Sequence, residues 1–232
     1  MKILGVAHST RLPLAIHSLA CVPREVQREL PRTEELKFVS DHLTQGSKVG
    51  LECPVNLEKF PKAELADNTT LRFWKGVDLL AKRKGVQALP LEAQSVALHL
   101  AWRLYTDLDE GREPDPLLRG LLSKAREQPG FNLDNFMSAL LVYRSLLVFE
   151  KAKEENCDTL IVGGAHARHL ELLLDEAEHH KFYHSNYSKL EIEENERKYR
   201  DEVSALKQYR PLLDIFFGNL LKTEKSLSAK TH

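Results

Sequence analysis

The sequence predicts an α/β protein in which a central, mostly parallel β-sheet is flanked by helices. Four short segments are apolar at consecutive positions, and the segments between them carry apolar residues at three- and four-residue spacing. Consecutive apolar positions are typical of strands buried on both faces, as in a parallel sheet covered by helices. Alternation of such strands with amphipathic helices indicates the α/β class.

The predicted strands are bounded by turn or loop residues and lie at Lys2–Ala7, Lys48–Cys53, Val86–Glu92 and Thr159–Gly163. Helical periodicity is found at Glu34–Thr44, Leu71–Lys84, Ala93–Asp107, Leu117–Arg126 and Phe136–Phe149. The chain of 232 residues has the length and the apolar fraction of one large domain. We therefore expect a single α/β domain over residues 1–232.

Two further helices are predicted at the C-terminus. Ser188 begins a Ser-x-x-Glu capping box, which marks the start of a charged helix. The apolar pattern of Leu212–Leu221 predicts a last helix that packs either on the body of the protein or on another subunit. The second arrangement would make the protein a homo-oligomer. We expect residues 188–222 to form a helical extension packed on the α/β domain.

Composition excludes several classes of partner. The 33 lysines and arginines against 34 acidic residues give a formal charge of -1, so no basic surface for nucleic acid is indicated. Neither a signal peptide nor an apolar run long enough to span a bilayer is recognisable. The three cysteines, an odd number at wide spacing, favour free thiols. We expect a cytoplasmic protein that binds neither nucleic acid nor membranes.

Similar motifs follow the first and fourth predicted strands. Gly5-Val6-Ala7-His8 and Gly163-Gly164-Ala165-His166 each end on a histidine, and Glu52 closes the second strand. The carboxyl ends of parallel strands meet at one edge of a sheet, where α/β proteins place their sites. A single histidine after a strand is also compatible with a hydrogen-bonded loop residue, but the repetition favours a shared site of His8, Glu52 and His166.

Two imidazoles and one carboxylate are a ligand set that binds a divalent metal ion such as Mn, Co or Zn and leaves positions for water and substrate. A bound cation would lower the pKa of that water and make it a nucleophile. In a metal-free alternative, one histidine is the general base toward water and Glu52 orients it. The sequence leaves both versions of the site open.

Arg144 is the only charged residue in FMSALLVYRSLLVF, the apolar segment from Phe136 to Phe149. A guanidinium cannot lose its proton on burial, so it requires a carboxylate, carbonyl oxygens or a bound anion. We include Arg144 among the catalytic candidates, placed near Glu52 or near charge that develops on substrate oxygen. A buried structural ion pair or a guanidinium that reaches the surface are the alternatives.

Other polar residues are secondary candidates. Glu92 ends the third predicted strand and is the first reserve for a further ligand or general base. His169 lies one helical turn after His166, so it is either a substrate or supporting contact or an exposed helix residue. A polar loop that lines the cleft is predicted around three histidines, His179, His180 and His184.

In combination, these motifs resemble the TraB/Tiki superfamily, which also includes erythromycin esterases and ChaN-like proteins. The similarity covers chiefly residues 1–60 and 130–178. It implies a mixed α/β fold with the histidines and the glutamate facing each other in a cleft. His8 and His166 match the motif histidines, Glu52 the acidic residue and Arg144 the arginine. Tiki proteins are described as metal-dependent proteases and erythromycin esterases as hydrolases.

The sequence thus predicts a hydrolase for amide, peptide or ester bonds, assisted by a divalent metal, that acts on a small molecule or a peptide. The first alternative is a ligand- or peptide-binding protein that uses the same cleft without turnover. A second alternative is a regulatory protein whose charged helix, Lys189 to Arg210, is the working surface. The sequence does not distinguish peptide from ester substrates.

Overall fold

A computed structural model describes residues 1–6, 34–53, 56, 69–174, 177–181 and 189–228 of the chain. Within these ranges the strands are β1 Lys2–Val6, β2 Lys48–Leu51, β3 Gln87–Pro90, β4 Thr159–Gly163 and β5 Glu178–Lys181. Residues 34–42 are helical and are named α1. The later helices are α2 Thr69–Arg83, α3 Val96–Asp109, α4 Pro116–Arg126, α5 Leu133–Glu154, α6 Gly164–Leu173 and α7 Lys189–Ser228.

The five strands form one sheet in the order β3-β2-β4-β1-β5, and every neighbouring pair is parallel. In the register of this sheet, Leu4 lies beside Ile161 and Leu51 lies beside Ile161 on its other side. Helices flank the sheet, and a long helix ends the described chain. The predicted α/β class with a parallel sheet and a C-terminal helix is therefore confirmed.

Burial follows the position of each strand in the sheet. All five residues of the central strand β4 are buried, whereas β3 at one edge is only partly covered. Pro90 ends β3, and an edge strand tolerates proline because the missing N–H breaks no ladder. The other edge strand, β5, reads Glu-His-His-Lys. Polar and charged edges of this kind discourage pairing with a second sheet.

Strand β5 differs from the sequence-based expectation. Residues His179 and His180 lie in this strand, where β1 pairs with them at Ile3 and Leu4, and not in a polar loop. An apolar run is the sequence signal of a buried strand, but an edge strand needs no such run because one side faces solvent. His184, Tyr183 and Asn186 lie outside the described residues.

The chain divides into two compact units. Unit 1 comprises Met1–Leu91, Ala152–Ala167 and Glu176–Tyr187, and unit 2 comprises Glu92–Lys151, Arg168–Asp175 and Ser188–His232. Unit 1 contains the sheet with α1 and α2, and its core includes fully buried side chains of both kinds of element, such as Leu51, Val39 and Trp74. The carboxyl-terminal edge of the sheet, with Glu52 and His166, therefore belongs to unit 1.

Unit 2 contains α3, α4, α7 and most of α5. Its core is rich in aromatic side chains: the rings of Phe136 and Tyr209 lie 5.2 Å apart, and those of Tyr143 and Phe217 lie 5.7 Å apart. Each of these pairs joins α5 to α7. Aromatic pairs at such distances contribute stability beyond the area that they bury.

Helix α7 is continuous over 40 residues, although the sequence predicts two separate helices, and Pro211 lies inside it. Proline removes a backbone donor and costs about 3 kcal/mol in a helix interior. A buried stripe runs past Pro211 on both sides, at Leu206, Tyr209, Leu213 and Phe217. Burial of this stripe outweighs the cost of Pro211 and makes one helix of two predicted ones.

None of the helices in the described ranges combines the length and the apolar composition that a bilayer crossing demands.

Candidate functional site

Glu52 lies immediately after β2, at the carboxyl-terminal edge of the sheet. Its backbone N–H donates to the carbonyl of Ile161 at 3.0 Å, which extends the pairing of β2 with β4 by one residue. The N–H of Cys53 then donates to the carbonyl of Leu51 at 2.8 Å, so the chain turns tightly at Glu52. Sheet pairing therefore positions the backbone of Glu52 at this edge.

His166 lies in the first turn of α6, which begins at Gly164 directly after β4 ends at Gly163. No loop separates this strand from this helix. The short connection places the first turn of α6, with the positive end of the helix dipole, at the same edge of the sheet. Position in the fold thus brings His166 and Glu52 together although they are far apart in the sequence.

The side chains of Glu52 and His166 are in direct contact. Nε2 of His166 lies 3.1 Å from Oε1 of Glu52. The second carboxylate oxygen, Oε2, accepts a hydrogen bond of 2.7 Å from the N–H of Gly163. Glu52 is 3% exposed and His166 6% exposed, so both groups are largely removed from water. The hydrogen bond from Gly163 orients this carboxylate, and its other oxygen lies against the imidazole.

This arrangement has a chemical consequence for the imidazole. A carboxylate accepts hydrogen bonds, so its contact with Nε2 favours the tautomer that carries the proton on Nε2. The lone pair of the neutral ring is then on Nδ1. A buried carboxylate also stabilises the imidazolium that forms when the ring takes up a second proton. The Glu52–His166 pair therefore has the chemistry of an oriented general base.

The donor types of this pair, an imidazole nitrogen and a carboxylate oxygen, suit a divalent metal ion. Oε2 of Glu52 accepts the hydrogen bond of Gly163 and Oε1 lies against the imidazole of His166, so a metal ligated by Glu52 would replace one of those contacts. Within the described part of the chain, no group of three or more His, Cys, Asp or Glu residues is arranged to hold a metal ion. His8 lies outside that part, so the three-residue metal site stays a prediction.

Arg144 is 8% exposed and pairs with Glu92 in unit 2. Nε of Arg144 donates to Oε1 of Glu92 at 2.8 Å, and Nη2 donates to the same oxygen. Glu92 is 5% exposed and begins the short 3-10 turn that follows β3. The buried guanidinium of Arg144 thus has the carboxylate that its charge requires. That carboxylate belongs to Glu92, which the sequence indicated as an additional candidate for a ligand or general base.

His169, one turn after His166 on α6, is fully buried in unit 2 and is not an exposed helix residue. Its Nε2 lies 2.7 Å from Oε2 of Glu202, and its Nδ1 lies 3.2 Å from Oγ of Ser145. The ring of Tyr199 meets the imidazole edge-on, with centroids 5.6 Å apart. Side chains from α5 and α7 therefore contact both ring nitrogens of His169.

Sequence reasoning missed Ser145 and Glu202 as partners of His169. A signal for Glu202 is present in the sequence, because residue 202 continues the spacing of the buried stripe on α7 at 206, 209, 213 and 217. A carboxylate on the apolar side of a helix requires a partner when it is buried. No comparable signal marks Ser145, because a serine in a buried helix can also bond its own backbone, as Ser145 does with the carbonyl of Leu141 at 3.2 Å.

Two further described histidines of unit 1, His42 and His180, contact each other and neighbouring groups. His180 lies 2.6 Å from Glu178 through Nε2 and Oε1, and its ring centroid lies 4.6 Å from that of His42 on α1. The His180 contact lowers the pKa of the exposed Glu178. These contacts involve edge strand β5 and include neither Glu52 nor His166.

Comparison of the chain with protein-family models, with curated proteins and with solved structures gives no match.

Proposed function

We propose that the protein is a hydrolase that cleaves an amide or ester bond, with the Glu52–His166 pair as the group that activates water. The observation that carries this proposal is the 3.1 Å contact between Nε2 of His166 and Oε1 of Glu52. The pair lies at the carboxyl-terminal edge of a parallel sheet, where α/β proteins place their sites. The resemblance to the TraB/Tiki superfamily points to the same class of reaction.

In this mechanism Nδ1 of His166 removes a proton from water while the water oxygen attacks the carbonyl carbon. Glu52 stays ionised and stabilises the imidazolium through Nε2. The tetrahedral intermediate then collapses, and the proton on Nδ1 passes to the leaving nitrogen or oxygen. The products are an acid and an amine or alcohol, and the pair returns to its starting state.

A divalent ion, if one binds, would be ligated by His8, Glu52 and His166 and would supply an activated water and polarise the carbonyl. The orienting contact of Gly163 with Oε2 of Glu52 is compatible with that role, because ligating carboxylates are themselves hydrogen-bonded. Arg144 has a different proposed part. Its pairing with Glu92 supports a structural contribution of Arg144, and direct contact of Arg144 with substrate remains a prediction.

We propose a small molecule or a peptide as the substrate and the cytoplasm as the location.

The full chain should be assayed with p-nitrophenyl acetate, with p-nitrophenyl butyrate and with a fluorescein-labelled casein, each with EDTA and with added Mn²⁺, Co²⁺ or Zn²⁺. General acid–base groups contribute about 10²- to 10⁴-fold to rates. We expect His166→Ala and Glu52→Gln to lower kcat/KM by that factor on whichever substrate is turned over.

His99→Ala is the matched control, because His99 is an exposed histidine on α3 in unit 2. Circular dichroism should verify that all three variants are folded. If His99→Ala loses as much activity as His166→Ala, the assigned pair is wrong. If the wild-type chain binds p-nitrophenyl esters or peptides with no turnover under any metal condition, the binding-protein alternative replaces the hydrolase.

A further inference from the structure

The two ends of the described part of α7 contact unit 2 through different chemistry. The carboxyl-terminal part buries apolar and aromatic side chains at Leu206, Tyr209, Leu213 and Phe217. Polar contacts add to this packing, since the hydroxyl of Tyr209 accepts from the N–H of Asn132 at 3.2 Å. This part of the helix is anchored by the core of unit 2.

Residues 193–202 of α7, which we name the polar arm, have no buried apolar side chain among them, and Glu202 is their only buried residue. Glu196 forms an ion pair with Arg168, and the ring of Tyr199 meets His169 edge-on. Glu202 contacts Nε2 of His169 at 2.7 Å. The polar arm is therefore fixed by ionic and hydrogen-bonded contacts to two adjacent residues of α6.

Such contacts are weak when water can replace them. The Arg168 and Glu196 side chains are 15% and 27% exposed, and ion pairs with this much access to solvent contribute little and are screened by salt. The His169–Glu202 contact is sealed from solvent at the imidazole, which is 0% exposed. It is thus the strongest single contact of the polar arm, because water does not compete for the buried imidazole nitrogen.

We propose that the polar arm opens as a local unit while the rest of α7 stays packed, and that the His169–Glu202 hydrogen bond is its latch. Segments with few buried apolar contacts open at a lower free energy than the core to which they are attached. Opening replaces Glu202 with water at Nε2 of His169 and breaks the Arg168–Glu196 pair.

Hydrogen–deuterium exchange of the full chain, read by mass spectrometry, tests the proposal. Amides of 193–202 should exchange faster than those of 206–217 in the wild type. Glu202→Gln should speed exchange of the polar arm by about tenfold or more, the factor expected for loss of a hydrogen bond to a charged group, and leave 206–217 unchanged.

Glu194→Gln is the matched control, because it makes the same chemical change at an exposed position of the same arm. Ordinary fraying of a helix end predicts the same exchange in both variants, and that result would overturn the latch. Equal protection of 193–202 and 206–217 in the wild type would overturn local opening. A rise of exchange in both segments of Glu202→Gln would show global destabilisation and would also contradict the proposal.

Discussion

Each unit of the molecule buries a histidine against a glutamate, and the two pairs differ in what surrounds the imidazole. In unit 1, His166 lies in the first turn of α6, directly after β4, and a backbone amide orients its partner Glu52. In unit 2, His169 has both ring nitrogens in contact with side chains, Ser145 and Glu202, and is 0% exposed.

This difference in surroundings indicates a catalytic role for the His166 pair and a structural role for the His169 pair. An imidazole enclosed by two helices has its proton-transfer positions occupied by protein groups, so its contacts contribute to packing. An imidazole at the carboxyl-terminal edge of a parallel sheet lies where substrates bind in this class of fold. The same pair of residue types therefore predicts catalysis in one place and a structural role in the other.

The largest expected effect is on catalysis, and it sharpens the comparison of the two carboxylates. Glu52→Gln should lower kcat/KM by roughly 10²- to 10⁴-fold, because the base loses its orientation and the charge that stabilises the imidazolium. Glu202→Gln should leave kcat/KM within about twofold when assayed where the variant is folded, since Glu202 touches no proposed catalytic group. Steady-state kinetics of both variants on one substrate decide the matter. Equal losses would remove the distinction between the pairs.

The second expected effect is on stability and concerns unit 2. His169→Ala removes the buried hydrogen bond to Glu202, whose carboxylate the opened polar arm exposes to water, and should lower the free energy of unfolding by about 1.5 to 3 kcal/mol. Urea denaturation followed by circular dichroism measures the change, with the exposed His99→Ala as reference. His166→Gln should lower the free energy of unfolding by less, about 1 kcal/mol, because Glu52 still accepts the hydrogen bond from the N–H of Gly163. A larger loss for His166→Gln would invert the comparison.

The third effect concerns the packing of unit 1, where Gly50 of β2 lies close to the side chains of Leu91 and Cys157. A Cβ atom on Gly50 of β2 would lie 2.7 Å from Cδ1 of Leu91 and 3.4 Å from Sγ of Cys157. Overpacking of this kind costs about 1 to 3 kcal/mol. We expect Gly50→Ala to lower the urea midpoint accordingly, whereas Gly120→Ala, with no atom near its added Cβ, should not. An unchanged midpoint for Gly50→Ala would show that Leu91 moves freely.

The smallest effect is in unit 2 and depends on pH. Burial, and then the hydrogen bond of its hydroxyl to Asp214 at 2.9 Å, raise the pKa of Tyr143 well above its ordinary value of 10.0. A raised pKa in the folded state means that this contribution is complete below about pH 10 and is lost as pH rises toward the folded-state value. Tyr143→Phe should lower stability by about 1 kcal/mol at pH 7.

Urea unfolding of Tyr143→Phe and of the wild type between pH 7 and pH 11 tests this prediction. The variant should lose less stability than the wild type above pH 10, because the phenol that resists ionisation is gone. Parallel stability curves for the two proteins over the whole range would contradict it.

The hydrophobic periodicity of the sequence was sufficient to predict the strands and helices whose burial is uniform or one-sided, such as β4 and α5. It failed at β5, where polar residues pair with β1 at the edge of the sheet, and at Pro211, where packing of the stripe from Leu206 to Phe217 keeps one helix intact. Both failures have one cause. Tertiary contacts overrode a local preference of one to a few kcal/mol.

For the site, the sequence predicted that Glu52 and His166 lie together, but it did not predict that Arg144 pairs with Glu92 or that His169 contacts Glu202. It indicated that a buried Arg144 requires an anion, and the structure supplies Glu92. It placed Glu52 and His166 at the ends of two strands, and their contact follows from the pairing of β2 with β4. Ser145 and Glu202 could not be assigned to His169, because no local pattern encodes which helices pack together.

The sequence by itself determined the class of the fold, the buried strands and the residue types at the ends of β2 and β4, because hydrophobic periodicity and chain order are local properties. Only the tertiary structure decided which carboxylates Arg144 and His169 contact. The physical reason is that a buried charge or imidazole requires a partner but does not specify it. Strand order and helix packing select that partner from residues far away in the chain.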